Sequence, residues 1–252
     1  MKQLLFILLG LFATVSVAQN KNLFEQGNAL YSKGKYTQAI EKYQAILDHG
    51  EQSAELYFNL GNAHYKLNHI APSIFYYEKA LQLAPNDSDI KNNLAYAQNM
   101  TIDAIEKVPE LGLSKFFRKA VNFLDFDSWA ILAVVFMIVF VILFLSYYFT
   151  HITSKKRAMF STSLLSVSLC ALFLVFAYKK YTIDQNNKPA IVFAQESLVR
   201  TDPNLSGSEA FTLHEGTKVQ VLDTINNWKK IKIADGKIGW IVSDDIRLLN
   251  DF

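Results

Sequence analysis

Cysteine is nearly missing from this 252-residue chain: Cys170 stands alone inside an apolar run. No intramolecular disulfide can form, and cysteine usage neither supports nor excludes an oxidising compartment. Metal and phosphate signatures are missing too. The five histidines (His49, His64, His69, His151 and His214) are scattered over three regions, without His-x-x-x-His, Cys-x-x-Cys or a glycine-rich phosphate loop. A Gly-x-Ser-x-Gly nucleophile elbow is also absent. Ser32-Lys33-Gly34-Lys35 spells Ser-x-x-Lys but falls where a turn between two helices is expected. His64 falls within a helical pattern and reads as inter-helix packing. The expectation is a chain that is not an enzyme, with no catalytic residue, metal or cofactor.

A surplus of one charge is missing from the parts that read as soluble. Residues 19–108 carry eight basic and ten acidic side chains, and residues 181–252 carry the same numbers. Neither offers the basic face of a nucleic-acid binder. The positive surplus sits elsewhere, in the segments around the apolar blocks, with nine basic against three acidic residues.

Those apolar blocks are what the chain has in abundance. The first opens it: Lys2, an apolar stretch from Leu4 to Val15, and Val-Ser-Val-Ala at 15–18. This is the pattern of a secretory signal peptide over residues 1–18, cleaved after Ala18, with an uncleaved anchor helix as the alternative. The second, Trp129 to Phe149, is 21 residues without a charge. About 20 apolar residues cross the hydrocarbon core as a helix. Trp129, Tyr147 and Tyr148 fall at aromatic-belt positions. The third block, Met159 to Tyr178, is equally uncharged and contains small polar residues suited to close helix packing. Residues 150–158 between them hold Lys155, Lys156 and Arg157, which favour the cytoplasmic side. A signal peptide puts residues 19–128 outside, and parity then puts residues 181–252 outside as well. Ahead of the first span, over 113–125, Leu113, Phe116, Phe117, Ala120, Val121 and Leu124 recur at helical spacing among Lys115, Arg118 and Lys119. That pattern predicts an amphipathic helix lying in the membrane interface.

The exported part repeats itself at an offset of 34 residues. Gly27-Asn28-Ala29 returns as Gly61-Asn62-Ala63, Tyr31 as Tyr65, Ile40 as Ile74, Tyr43 as Tyr77 and Leu47 as Leu81. With Tyr57, Leu60-Gly61, Ala80-Leu81 and Pro85 in the second copy, the pattern resembles the tetratricopeptide repeat (TPR) over residues 19–108. The resemblance implies two and a half repeats plus a capping helix around 88–107. Gly27 and Gly61 would let paired helices approach, Ala39 and Ser73 would oppose them, and Tyr43 and Tyr77 would fill the gap to the next repeat. Phe24, Asn28 and Tyr31 share one helical face, Phe58, Asn62 and Tyr65 repeat it, and Asn92 and Tyr96 continue it. Aromatics interleaved with amides suit an extended peptide, although the same stripe would also serve as packing. TPR domains that clamp chaperone tails carry lysines where this chain has Phe24 and Asp89, so a chaperone carboxylate is not the expected ligand.

Residues 190–250 read as short strands with dense turns: Gly216 to Val221 and Lys230 to Ile233 alternate, and Ala234-Asp235-Gly236 makes a tight turn before Lys237 to Val242. Leu198-Val199-Arg200, Glu215-Gly216-Thr217-Lys218-Val219, Trp228 to Ile231 and Gly239-Trp240-Ile241 resemble the bacterial SH3-like (SH3b) domain. Such domains bind peptidoglycan stems or peptides, which makes Arg200, Trp228 and Trp240 the candidate surface, with burial of both tryptophans as the competing reading.

The fold class expected is thus a multidomain α + β membrane protein: an α-α TPR superhelix, a two-helix transmembrane hairpin and a small SH3-like β-barrel. In this order the modules resemble the BatE family, the TPR-containing proteins of the Bacteroides aerotolerance operon. The resemblance implies a bacterial inner-membrane adaptor with both soluble domains in the periplasm. Its partners would be von Willebrand A-domain membrane proteins and a MoxR-type AAA ATPase. A peptidoglycan-binding regulator that recruits a wall hydrolase is the alternative.

Overall fold

The structure, a computed structural model, describes residues 19–106, 108–109 and 112–250. The expected signal peptide lies outside the described residues. The chain forms two compact units: Val108–Asn187 is one, and the stretches before and after it, up to Lys107 and from Lys188, together make the other.

Helical repeats open the second of these units. Helix α1 covers residues 19–32, followed by α2 (Tyr36–Asp48), α3 (Ala54–Lys66), α4 (Ile70–Leu83) and α5 (Ser88–Gln98). Ser53 Oγ accepts from Leu56 N–H and Asp87 from the N–H groups of Asp89 and Ile90, which fixes where α3 and α5 begin. The glycines work by absence of a side chain. A Cβ on Gly61 would lie 2.6 Å from the Tyr77 ring, and one on Gly27 would lie 2.4 Å from the Tyr43 ring. Tyr43 and Tyr77 therefore rest on the glycine of their own repeat. Ala39 and Ser73 are wholly buried beside them.

The helix expected around 88–107 stops at Gln98. A turn follows, with Thr101 Oγ1 donating to the Gln98 carbonyl. The chain then runs on without helical hydrogen bonds because Asp103 and Ile105 find partners on the β-module.

That module has seven strands: β1 (Pro189–Val192), β2 (Glu196–Arg200), β3 (Glu209–His214), β4 (Lys218–Ile225), β5 (Trp228–Lys232), β6 (Ile238–Val242) and β7 (Ile246–Leu248). Among the described residues these strands pair antiparallel, in the order β3-β2-β6-β5-β4-β1-β7. A flat sheet would hold β3 and β7 nearly 30 Å apart at about 4.8 Å per strand. Instead Leu213 of β3 and Ile246 of β7 join one core with Val199, Val221, Ile231 and Ile241. The sheet curls, and backbone bonds from Gly216 N to Val192 O and from Val192 N to Thr217 O tie β1 to the turn that leaves β3. Asn226, in the left-handed region at φ 51°, makes the two-residue β4–β5 turn.

Repeats and barrel do not stand apart. Ile191 and Leu249 are wholly buried and belong to the same apolar core as Leu60, Ile74 and Tyr77. Phe193 meets Phe75 of α4 edge-on at 5.6 Å, and Arg247 lies 4.2 Å above its ring. Lys218 pairs with Glu78 at 2.7 Å. Asp103 accepts from His214 N–H at 2.8 Å and from the Thr217 hydroxyl, and its other oxygen lies 2.7 Å from His214 Nδ1. Burial pushes the Asp103 carboxyl up, but these hydrogen bonds outweigh it and hold the group below its usual value. Gly216 (φ 85°) abuts Ile70, Ile74 and Thr101 so closely that any Cβ would lie within 3.0 Å of them.

The remaining unit holds α6 (Gly112–Val121), α7 (Phe126–Phe149) and α8 (Thr153–Asn186). The last two are long and apolar enough to cross a membrane. Asp125 caps α7 by accepting from Ser128 N–H. Ser166 donates to the Phe136 carbonyl across the helix pair at 2.7 Å, with Trp129 stacked on Phe173. Helix α8 extends beyond the 159–178 block at both ends.

Burial at the module junction has a pH signature. His64 stacks on Tyr76 and is lowered to about 4, first by burial, then by His69 and the Arg247 charge. The unfolded chain takes up this proton near pH 6.5, whereas the folded protein resists it until about pH 4. Stability is therefore full above about pH 6.5 and declines as pH falls to about 4, by roughly 2 kcal/mol once residual solvent contact is allowed for. Thermal unfolding of the full-length protein across this range should show that slope, and His64→Gln should flatten it. An unchanged slope in the variant would assign it to other groups.

Candidate functional site

The face formed by the first helix of each pair carries a polar ladder that repeats with the helices. Tyr43 Oη donates to Asn28 Oδ1 at 2.7 Å, and Asn59 Nδ2 donates to the same oxygen at 3.1 Å. One repeat later, Tyr77 Oη donates to Asn62 Oδ1 at 2.7 Å and Asn93 Nδ2 does so at 2.8 Å. Each asparagine thus joins the second helix of its own pair to the first helix of the next. Burial, followed by the neighbouring Tyr31 and Glu55, pushes the Tyr43 hydroxyl up to about 12, and burial raises Tyr77 as well. Both hydroxyls stay protonated donors at any physiological pH.

A cavity of about 240 Å³ opens on this face, lined by Tyr31, Asn62, Tyr65, Lys66, Tyr77, Asn93 and Tyr96. It brings together Tyr31, Asn62, Tyr65 and Tyr96 from the stripe read in the sequence. Tyr96 stands 62% exposed at its rim. The rest of that stripe is placed differently. Phe24 and Phe58 pack on Tyr43 and Tyr77 at 5.8 and 6.0 Å between ring centres. Asn28 serves the ladder, and Asn92 is exposed on α5 outside the cavity lining. The Asn62 carbonyl oxygen is thus doubly engaged, and the residue lines the cavity. Lys66, the one cationic lining residue, adds a positive edge.

The stripe legible in the sequence omits Asn93, Lys66 and Tyr77 from the cavity and Asn59 from the ladder. Asn59 and Asn93 were within reach, being themselves 34 positions apart. Tyr77 both packs on Gly61 and lines the cavity.

On the barrel, register pairs Arg200 and Lys230 with Trp240 on either side, and Trp228 lies on the same face of β5. Trp240 is only 8% exposed, with Lys230 Nζ 5.8 Å from its ring centre. The Arg200 guanidinium donates to the Gly207 carbonyl at 2.7 Å, closing the β2–β3 loop. Trp228 is half-buried, less covered than Trp240. Among the described residues, no three His, Cys, Asp or Glu side chains gather as metal ligands.

Comparisons with known families agree with this geometry. A family described as TPR repeat matches residues 27–68, and one described as tetratricopeptide repeat matches residues 54–87. Bacterial SH3 domain matches residues 198–247. No curated protein matches the chain. The fold is accordingly a helical TPR array with an SH3b-like antiparallel sheet and two apolar helices.

The ladder implies coupling. Tyr77→Phe and Asn93→Ala should each destabilise the protein by about 1 kcal/mol. Combined with Asn62→Ala, either should cost clearly less than the sum, because the shared acceptor is already gone. Thermal unfolding of singles and doubles measures this; strict additivity would mean that the ladder carries no cooperative energy.

Proposed function

We propose that the chain is a non-enzymatic membrane adaptor whose TPR groove grips an extended peptide segment of a partner protein. The observation that carries this reading is the division of the repeat surface. The α4 side is covered by the barrel through Phe75, Glu78 and the buried pair Ile191 and Leu249. The opposite face keeps an open, tyrosine-lined cavity with amide donors and Lys66.

The docking also supports the topology. The chain leaves the repeat–barrel unit near Lys107 and rejoins it at Lys188, with both membrane-capable helices between. Two modules that share a core must lie on one side of a membrane, which requires an even number of crossings. A hairpin supplies two. The signal-peptide pattern and the basic loop at Lys155–Lys156–Arg157 then favour the periplasm for the soluble unit and the inner membrane for the anchor.

Module order is the basis for placing the protein in a BatE-like complex with von Willebrand A-domain membrane proteins and a MoxR-type AAA ATPase, serving aerotolerance or envelope stress. A wall-binding regulator is the rival. For that role the barrel face offers chiefly Trp228, because Trp240 is covered and Arg200 is engaged by its own loop.

A photo-crosslinking residue at Tyr96 of the full-length protein tests the reading in cells. Adducts should form with A-domain or AAA partners and fall at least severalfold on Tyr65→Ala or Lys66→Ala. Absence of groove adducts, together with retention on peptidoglycan sacculi that vanishes in Trp228→Ala, would favour the wall regulator instead.

A further inference from the structure

Helix α6 leaves a large apolar surface uncovered within its own unit. Leu113 is 87% and Phe116 72% exposed, and Phe123 just beyond the helix is 79% exposed. The helix is nevertheless held in place. Val121 is buried and its carbonyl accepts the Trp129 indole N–H at 2.9 Å, while Phe117 meets Phe176 edge-on at 5.6 Å. These contacts fix α6 at the level of Trp129, Phe176 and Tyr178, where the two long helices pass from apolar to polar sequence. That depth is the aromatic belt of a spanning pair. Ile131, Val134 and Val135 of α7 are exposed as well.

Charge defines what covers it. Lys115, Arg118 and Lys119 are exposed on α6, and Lys179 and Lys180 lie at the same end of α8. Two of the acids nearby are occupied: Asp125 caps α7 and Asp184 pairs with Lys180. Among the described residues, Lys115 and Lys119 have no acidic partner. Exposed apolar side chains flanked by lysines without counter-ions match a bilayer surface that is negative.

We infer that α6 binds the membrane surface and selects anionic phospholipid headgroups through Lys115 and Lys119. This rests on the reading of α7 and α8 as membrane spans. It also accounts for basic residues on both sides of the hairpin, where the charge rule alone is ambiguous: those of α6 serve as headgroup ligands.

The test uses the full-length protein with Cys170→Ser, reconstituted in phosphatidylcholine bilayers with or without about a third of phosphatidylglycerol. An environment-sensitive fluorophore is attached at Phe116→Cys or, separately, at Ile138→Cys in the middle of α7. Brominated lipids should quench both labels, the first at headgroup-proximal and the second at deep positions. Spin-labelled phosphatidylglycerol should associate more strongly than spin-labelled phosphatidylcholine. Lys115→Gln and Lys119→Gln should each lower that preference by up to about fivefold. A quenched Ile138 label with a solvent-exposed Phe116 label overturns the inference alone, as does a headgroup preference unchanged in the double lysine variant. An unquenched Ile138 label overturns the spanning reading, and the inference falls with it.

Discussion

Burial of Ile191 and Leu249 inside the repeat core is the contact on which the rest of the architecture depends. Both belong to the β-module by sequence, yet their side chains complete the apolar interior that begins with Ala39 and Leu60. A short TPR array exposes an apolar flank wherever no further repeat stacks, and such flanks need a cap. Here the barrel covers α4, and Asp103, leaving the last repeat helix, locks onto His214 and Thr217. Through this contact, the stretches of chain before and after the two apolar helices form one compact unit.

The same economy governs the groove. A TPR stack must join each helix pair to the next, and this one does so with a shared amide oxygen at Asn28 and again at Asn62. Those residues are also the ones expected to meet a peptide. Two hydrogen bonds to its side-chain oxygen fix Asn62, which lines the same cavity as Tyr31, Tyr65 and Tyr96. Preorganisation of this kind lowers the ordering cost that an extended ligand would otherwise impose. On the proposed peptide-binding reading, substitutions at the asparagines would disturb stability and recognition together, whereas Tyr96 and Lys66, which take no part in the ladder, would report recognition more cleanly.

Local periodicity carried much of the fold into the sequence. The 34-residue offset identified both helix pairs, the Asp235-Gly236 turn and its flanking alternation identified β5 and β6, and two uncharged blocks identified α7 and α8. The docking of the two modules left no such trace, because Asp103 and His214 are 111 positions apart and neither belongs to a periodic pattern. The same docking explains why the helix expected to 107 ends at Gln98: partners on the barrel outcompete continued helical bonding. For Trp240, period-two alternation could show only that it faces opposite to Ile241. Its burial comes from Lys230 and its register with Arg200 on the neighbouring strand, a tertiary fact. Phe24 and Phe58 belonged to the stripe by spacing, and the tyrosines one helix away drew them into packing.

A distance distribution measures how rigidly repeat and barrel are joined. Spin labels at Lys91→Cys in α5 and Lys237→Cys in the β5–β6 turn, in a full-length Cys170→Ser protein within lipid bilayers, should give one narrow distribution. Ile191→Asp should broaden it by opening the shared core. A wild-type distribution already as broad as a flexible tether allows would contradict the account.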